Sequence, residues 1–328
     1  MAKIRFVTSS DEHLSDQNPG FRKDDYRASI LKKLEYQGEI GRRFEADALL
    51  RGGDFFHHKA ANRTTHSTIQ LAASIHRNYD FPTYALAGNH DMSYNDPDTV
   101  YQQQPLGVLF RTGVFNQLSE QVFQKGSLKV RVVGVHYTVD LDVEKLAELV
   151  RKRSDDEYVV AVVHALSSYA PSEKLSEFFH EPIFDYRDLV FPGSPDAYVF
   201  GHYHKDQGVQ DHHGVKFINL GSISRGSLTF DNLDRKPKVG LISFDSSGIS
   251  VEEHVVPHED ALAIFDLELK KKIVQEKKNI DDFILKLKSD SGVGSSNDMK
   301  STLSSFPDDV RKKALEIMEA AEAGIMDE

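Results

Sequence analysis

Carboxylate, imidazole and amide side chains recur in this sequence at the ends of short apolar runs. The stretch YALAGNHDM at 84–92 closes one such run with Asn89, His90 and Asp91 on successive positions. A turn alone would account for it, because Gly and Asn accept the backbone angles of turns and Asp can hydrogen-bond its own main chain. Four further runs end in the same manner: IRFVTSSDEH at 4–13, ADALLRGGD at 46–54, YVVAVVHA at 158–165 and AYVFGHYH at 197–204. Together they deliver Asp11, His13, Asp54, Asn89, His164, His202 and His204, an oxygen and nitrogen set without thiolate that suits divalent Mn, Fe, Zn or similar metals. Seven such groups exceed what one ion takes, whereas two ions sharing Asp54 use them all and leave room for solvent. Two divalent cations against two aspartates and one hydroxide leave a charge of about +1, attractive to a phosphate. Ions roughly 3.5 to 4 Å apart would bind both the attacking and the leaving oxygen of an in-line displacement. The 89–91 triplet then reads as one ligand, Asn89, one imidazole aimed at the substrate, His90, and a carboxylate, Asp91, placed to orient that imidazole.

The elements that must bring these residues together follow from hydrophobic spacing. Helical patterns fill the early gaps, Asp25 to Phe44 and Thr64 to Tyr79, with Ile30, Leu31, Leu34 and Ile69, Ala72, Ala73, Ile75 at helical intervals. Strands alternating with helices imply an α/β fold with a largely parallel, buried sheet, whose ligand crevice lies beyond the carboxyl ends of the strands. The five polar clusters should converge there. From Val215 the pattern changes to hairpins, with Asp245 to Gly248 as one turn, expected to form a second sheet beside the first. These segments make up a first domain over 1–257. A small charged α or α+β appendage follows at 258–288, then a flexible linker at 289–301. The last segment, 302–328, starts with Pro307 and two aspartates, ends near Gly324 and carries Val310, Ala314, Ile317 and Met318 on one face: an amphipathic helix on a tether, fit to dock on a partner.

Composition bounds the remaining choices. A chain of 328 residues, 39% hydrophobic and 28% charged, can bury one large domain with a smaller addition. It has no cysteine, which rules out disulfides, zinc-thiolate sites and cysteine nucleophiles. The first strand-like run, Ile4 to Thr8, begins close to Met1, and no apolar stretch approaches the roughly 18 residues that span a bilayer, so a cytoplasmic protein without membrane attachment is expected. A formal net charge of -11 argues against DNA binding through a bulk basic surface and demands local positive charge, from metals, a basic patch or a partner. Lysine runs at 270–272 and 277–278 are the natural local patch, although such runs are commonly solvated helix faces. The remaining histidines, His76 and His136 among them, fit no ligand position and read as surface or satisfied core residues.

The order and approximate spacing of DEH, GGD, GNHD, VVH and GHYH resemble the calcineurin-like metallophosphoesterase superfamily, whose motifs run D-x-H, G-D, G-N-H-D/E, H and G-H-x-H. The match covers residues 4 to 225. It implies a four-layer α/β/β/α sandwich and two divalent ions, manganese first, with iron, zinc or magnesium as alternatives. By that resemblance Asp11, His13, Asp54 and His204 would hold one ion, and Asp54, Asn89, His164 and His202 the other. Within the superfamily, GGDFFHHK, SSDEHLSD, VRVVGVHYT and NLGSISRGS look like the SbcD nuclease subunit of the SbcCD double-strand-break repair and recombination complex, or a bacteriophage version of it. His57 matches that branch's extra histidine, although many such chains carry another residue there. The G-D-x-V-D-R-G pattern of serine/threonine phosphatases is missing.

The resemblance implies a two-metal DNA exonuclease or endonuclease. His90 would protonate the leaving oxygen and His57 would position the scissile phosphate. It also implies an SbcC-type coiled-coil ATPase that accepts the C-terminal helix, and a homodimer as a further assembly. Two other readings use the same residues: a phosphatase or cyclic-nucleotide phosphodiesterase acting on small phosphoesters, and a non-catalytic scaffold braced by metal.

Overall fold

The computed structural model describes residues 2–93, 96–153 and 158–290. Strands β1 (Ile4–Ser9), β2 (Ala48–Arg51) and β3 (Thr83–Ala85) are parallel neighbours, joined by helices α1 (Tyr26–Arg43) and α2 (His66–Arg77). Both helices start where the sequence supplies a capping oxygen: Asp25 accepts from the Ala28 amide and Thr65 from the Thr68 amide. Helices α3 (Pro97–Gln103) and α4 (Pro105–Arg111) each begin on a proline, and β4 (Asn116–Gln117) then adds to β3 in parallel.

A hairpin of β5 (Glu120–Lys125) and β6 (Leu128–Val135) opens a second sheet. Helix α5 (Val143–Val150) leads to β7 (Tyr158–His164), and a short pair, β8 (Ser167–Ser168) with β9 (Phe184–Asp185), brackets helix α6 (Glu173–Phe179). Strands β10 (Ala197–Gly201), β11 (Gly208–His212) and β12 (Val215–Asn219) complete that sheet in the order β11-β12-β10-β7-β6-β5. After helix α7 (Phe230–Asp234), the hairpin β13 (Lys238–Asp245) and β14 (Gly248–Val255) returns to the first sheet, whose order is β14-β13-β1-β2-β3-β4.

Side-chain alternation explains why the sheets stack. Ile4 and Phe6 of β1, Val130 and Val132 of β6, Val160 and Val162 of β7, and Ile242 and Phe244 of β13 share one buried core between the sheets. The opposite face of the first sheet, Val7, Leu49, Val239 and Leu241, packs on Ile40, Tyr79 and Phe81. The opposite face of the second sheet, Val159, Ala161, Val163, Tyr198 and Phe200, packs on Leu146 and Val150 of α5. Two central sheets with helices outside them give the four-layer sandwich that was expected. Each fully buried large side chain contributes about 1.5–3 kcal/mol, and most strands here are buried on both faces.

One expectation is corrected. The five motif-bearing strands do not form a single parallel sheet, and the residues from Val215 onward do not form a separate one. The first three motifs end strands of the first sheet, the last two end β7 and β10 of the second, and β13 pairs antiparallel with β1 from Ile4 opposite Phe244 to Thr8 opposite Gly240. Strands buried on both faces read as unbroken apolar runs, so hydrophobic pattern reveals the strands but not their pairing.

The first compact unit extends to Phe265, beyond the boundary expected at 257, because Ala261 and Ile264 of helix α8 (Ala261–Ile264) and Phe265 are buried. The second unit begins at Asp266 and holds helix α9 (Leu267–Asp290), on which Leu269, Ile273 and Val274 are exposed. Apart from residues 289 and 290, which end α9, the expected linker and docking helix lie outside the described residues. Among those residues no helix is long and apolar enough to cross a membrane.

Candidate active site

The loops that follow β1 and β2 are laced together by main-chain bonds. The amides of Asp11, His13 and Leu14 donate to the carbonyls of Gly53, Asp54 and Phe55 at 3.0, 3.0 and 2.8 Å, and the Gly52 amide donates to Ser9 at 2.9 Å. This lacing sets Asp11, His13 and Asp54 side by side. It also holds them in left-handed backbone conformations, with φ of 56°, 46° and 55°, and His202 has φ of 86°. Such conformations cost non-glycine residues on the order of 1–3 kcal/mol each, and here they fall on four of the seven expected ligands. Glycine is required at two points of closest approach. A Cβ on Gly53 would run into the His164 ring, and one on Gly88 would run into the Asp54 carboxylate.

Between Asp11 and His13, the Glu12 side chain points the other way, into a buried brace. It accepts from Ser9 and from the Arg51 guanidinium. Arg51 also donates to Gln37 at 2.7 Å and to His76 Nε2 at 2.6 Å, and lies over the Phe55 and Phe115 rings. His76 donates its Nδ1 proton to the Ala72 carbonyl at 2.6 Å, so it is a satisfied core histidine that burial keeps neutral. Burial pushes the Glu12 carboxyl up, and Arg51 opposes that push. Breaking one side of such a pair costs roughly 3–5 kcal/mol. The brace therefore holds the loop that presents Asp11 and His13.

The expected metal ligands converge. Asp11, His13, Asp54 and His204 form one group whose donor atoms all lie within 4.8 Å of one another, and Asp54, His164 and His202 form a second. His13 Nε2 is 2.9 Å from His204 Nε2 and 3.8 Å from Asp54 Oδ2, while His204 Nε2 is 3.6 Å from Asp11 Oδ1. His164 Nε2 faces Asp54 Oδ2 at 3.5 Å and Asn89 Oδ1 at 3.1 Å. Asp54 thus belongs to both groups, and Asn89 joins the second.

Electrostatics fits a divalent cation at each group. Asp54 is buried, and its Oδ2 has no hydrogen-bond partner among the described residues, although a buried carboxylate oxygen is costly when unpaired. Burial holds His13 well below the ordinary imidazole range, so it offers a lone pair instead of a proton. His164 behaves differently. Burial disfavours its charged form, but the Asp54 carboxylate outweighs burial and lifts it to about 9. In the metal-free chain that proton partly answers the charge on Asp54. Buried carboxylates converging with imidazoles and an amide oxygen make a nitrogen and oxygen set for borderline or hard divalent ions, and the residues present fit two of them.

His90 and His57 stand beside the first group. His13, His57 and His90 are themselves mutually within reach of one ion. The His57 and His90 rings stack at 5.4 Å, and His90 Nδ1 donates to the His57 carbonyl at 2.8 Å. Burial, reinforced by His90 and His58, pushes His57 down to about 4, so it works as a neutral hydrogen-bonding group. Asp91 is not placed as expected. Its carboxylate accepts from the amides of Gly88, Phe55 and Phe56 at 3.1 to 3.2 Å, and the His90 ring is held by the His57 carbonyl instead. The tight turn folds Asp91 back on its own main chain and the neighbouring loop. It orients the GNHD turn, not the imidazole.

Glu181 and Tyr137 were not anticipated. Glu181 Oε2 lies 3.0 Å from His202 Nε2, and the Tyr137 hydroxyl donates to Glu181 Oε1 at 3.4 Å. Tyr137 lies just after β6, in the VRVVGVHYT stretch already singled out in the sequence; Glu181 sits in a stretch without motif. Among the described residues, three cavities open beside the groups. One of about 300 Å³ is lined by His13, Tyr26, His57, His90 and His204, and another of about 590 Å³ by His57, His58, Lys59, Arg63, Asn89 and His90. The third, about 170 Å³, is lined by Tyr137, Leu141, His164 and Glu181.

The calcineurin-like phosphoesterase family matches residues 4–206. The chain is 22% identical over 239 residues to the DNA double-strand break repair protein Mre11 of Archaeoglobus fulgidus, a match covering 69% of this chain and 51% of that protein. It therefore spans about half the length of that curated relative. Among solved structures it is similar to TT1561 of Thermus thermophilus, with 13% identity, coverage of 78% of this chain and 100% of that one, and a TM-score of 0.46. It is also similar to the sulfate thiohydrolase SoxB of the same organism, with 13% identity, coverage of 77% and 56%, and a TM-score of 0.43.

Proposed function

Because the chain belongs to the calcineurin-like phosphoesterase family, we propose that it is a two-metal phosphodiesterase whose substrate is DNA, working as the nuclease subunit of an SbcCD-like assembly. Asp11, His13, Asp54 and His204 would hold one ion, and Asp54, Asn89, His164 and His202 the other. Bound there, divalent ions, manganese foremost, lower the pKa of water and neutralise charge on the phosphoryl oxygens. The rest falls to side chains. With Nδ1 committed to the His57 carbonyl, His90 has only Nε2 through which to hand a proton to the leaving oxygen. His57, neutral and stacked on His90, would hydrogen-bond the scissile phosphate and align it.

One observation favours a polymer over a small ester. The two larger cavities share His57 and His90 in their walls, and the larger one continues past them to Lys59 and Arg63. A strand lying along both would place one phosphate at the histidines and the next ones at Lys59 and Arg63, local positive charge of the kind that a chain of net charge -11 needs to hold a polyanion. The likeness to Mre11 supports the same substrate. The test is digestion of defined linear duplex and single-stranded DNA with added Mn2+, beside a panel of phosphomonoesters, cyclic nucleotides and small diesters. Degradation of DNA with weak turnover of the panel is expected. Efficient hydrolysis of a monoester or cyclic nucleotide with intact DNA would assign the site to small phosphoesters.

A further inference from the structure

We propose that Glu181 is the positioning residue for His202, fixing which ring nitrogen that histidine offers to a divalent cation. The inference rests on the second ligand group described above and is independent of the nature of the ester hydrolysed. Glu181 lies between α6 and β9, and its Oε2 is 3.0 Å from His202 Nε2. The Tyr137 hydroxyl, donating to the other carboxylate oxygen, steadies it from just after β6. The Tyr137 ring also lies 5.5 Å from the His202 ring.

An imidazole whose Nε2 proton is held by a carboxylate has only Nδ1 left as a lone pair. Ligating histidines characteristically commit their second nitrogen to a carboxylate or carbonyl, which fixes the tautomer and raises the basicity of the ligating atom. His164 in the same group follows this arrangement, with Nδ1 donating to the Gly52 carbonyl at 2.6 Å. His202 has no such main-chain partner among its described ring contacts, and its backbone is held in the left-handed region with its amide donating to Asp11. Its main chain is pinned toward one group while its ring serves the other. The ring orientation then depends on a side chain, and Glu181 supplies it.

The experiment is Mn2+ titration by calorimetry of the metal-stripped full chain, wild type against Glu181→Ala and Glu181→Gln. It is paired with nitrogen NMR of the His202 ring without metal. The Glu181 side chain is about one-third exposed, so its removal is compatible with folding, and an unchanged circular dichroism melt is the control. Wild type is expected to bind two ions and to carry the His202 proton on Nε2. Glu181→Ala should bind one ion about 10–100-fold more weakly while the other is unaffected, and should lose the single tautomer. Glu181→Gln, which retains an acceptor oxygen, should fall between. Two ions bound by Glu181→Ala at wild-type affinity, equal weakening of both ions, or a His202 proton on Nδ1 in the wild type would overturn the inference. Uptake of fewer than two ions by the wild type would instead overturn the ligand assignment beneath it.

Discussion

Raising the pH of the metal-stripped chain from 7 to 10 is expected to destabilise it through His164. Burial disfavours the charged imidazole there, but the Asp54 carboxylate 3.5 Å away prevails and lifts the group to about 9. In the unfolded chain a histidine titrates near ~6.5. Since the folded value is the higher one, the stabilisation is complete below about pH 6.5 and is lost as pH rises through about 9. At roughly 1.4 kcal/mol per unit, the loss between pH 7 and 10 is about 2–3 kcal/mol. Asp91, pushed up to about 7 by burial, and His136, pushed down to about 4 by burial, titrate mainly below this window. Lys33 works the other way. Burial holds its amine well below the ordinary range, so the unfolded chain binds the extra proton and stability gains with pH. Comparing wild type with His164→Asn removes that contribution, because Lys33 is common to both. Urea unfolding at pH 7 and 10 should show wild type losing about 2–3 kcal/mol more than the variant. With excess Mn2+ the trend should reverse, because a ligating imidazole must give up its proton. Equal pH slopes in the two metal-free proteins would refute the pairing of His164 with Asp54.

His57→Ala is expected to impair degradation of duplex DNA more than hydrolysis of a small model diester, since only a polymer needs that alignment; equal losses in the two rate assays would count against the positioning role. Replacing Lys59 and Arg63 by alanine should weaken DNA binding and lower the slope of log affinity against log salt by about 2, as read by fluorescence anisotropy, with small-diester turnover unchanged. Deleting residues 301–328 should leave the fold and the manganese-dependent nuclease activity intact and abolish capture of an SbcC-type ATPase in a pull-down; wild-type capture by the truncated chain, or a melting point many degrees lower, would show that the segment serves another purpose.

What could be read from the sequence was set by local chemistry. The helical patterns read from Asp25 and Thr64 start within one residue of the caps Asp25 and Thr65 of α1 and α2, because apolar spacing tracks the buried helix face, and strand ends are marked wherever an apolar run breaks into polar residues. The convergence of Asp11, Asp54, Asn89, His164 and His202 was expected at the carboxyl ends of strands in one sheet; it occurs at the carboxyl ends of strands in two. Pairing was hidden, because β13 beside β1 and β12 beside β10 are equally apolar. Asp91 departs from its expected role for a different reason: adjacency in sequence to His90 does not reveal that the turn points its carboxylate at three amides. Glu12 was passed over as the middle of a motif. Arg51, a charged residue ending a fully buried strand, was the available sign of its partner. Glu181 reaches His202 across 21 positions that include β9 and β10, and no spacing rule connects them.

The central claim is tested most directly by measuring metal content and duplex cleavage together in the wild-type chain, Asp54→Asn and His90→Ala. The wild type should carry two manganese ions and degrade DNA. Asp54→Asn should lose at least one ion and the activity with it. His90→Ala should keep both ions and lose cleavage by about 10²–10⁴-fold, the usual contribution of a general acid. Two ions retained by Asp54→Asn, or most of the wild-type rate retained by His90→Ala, would contradict the assignment of a shared carboxylate ligand and a proton-donating imidazole.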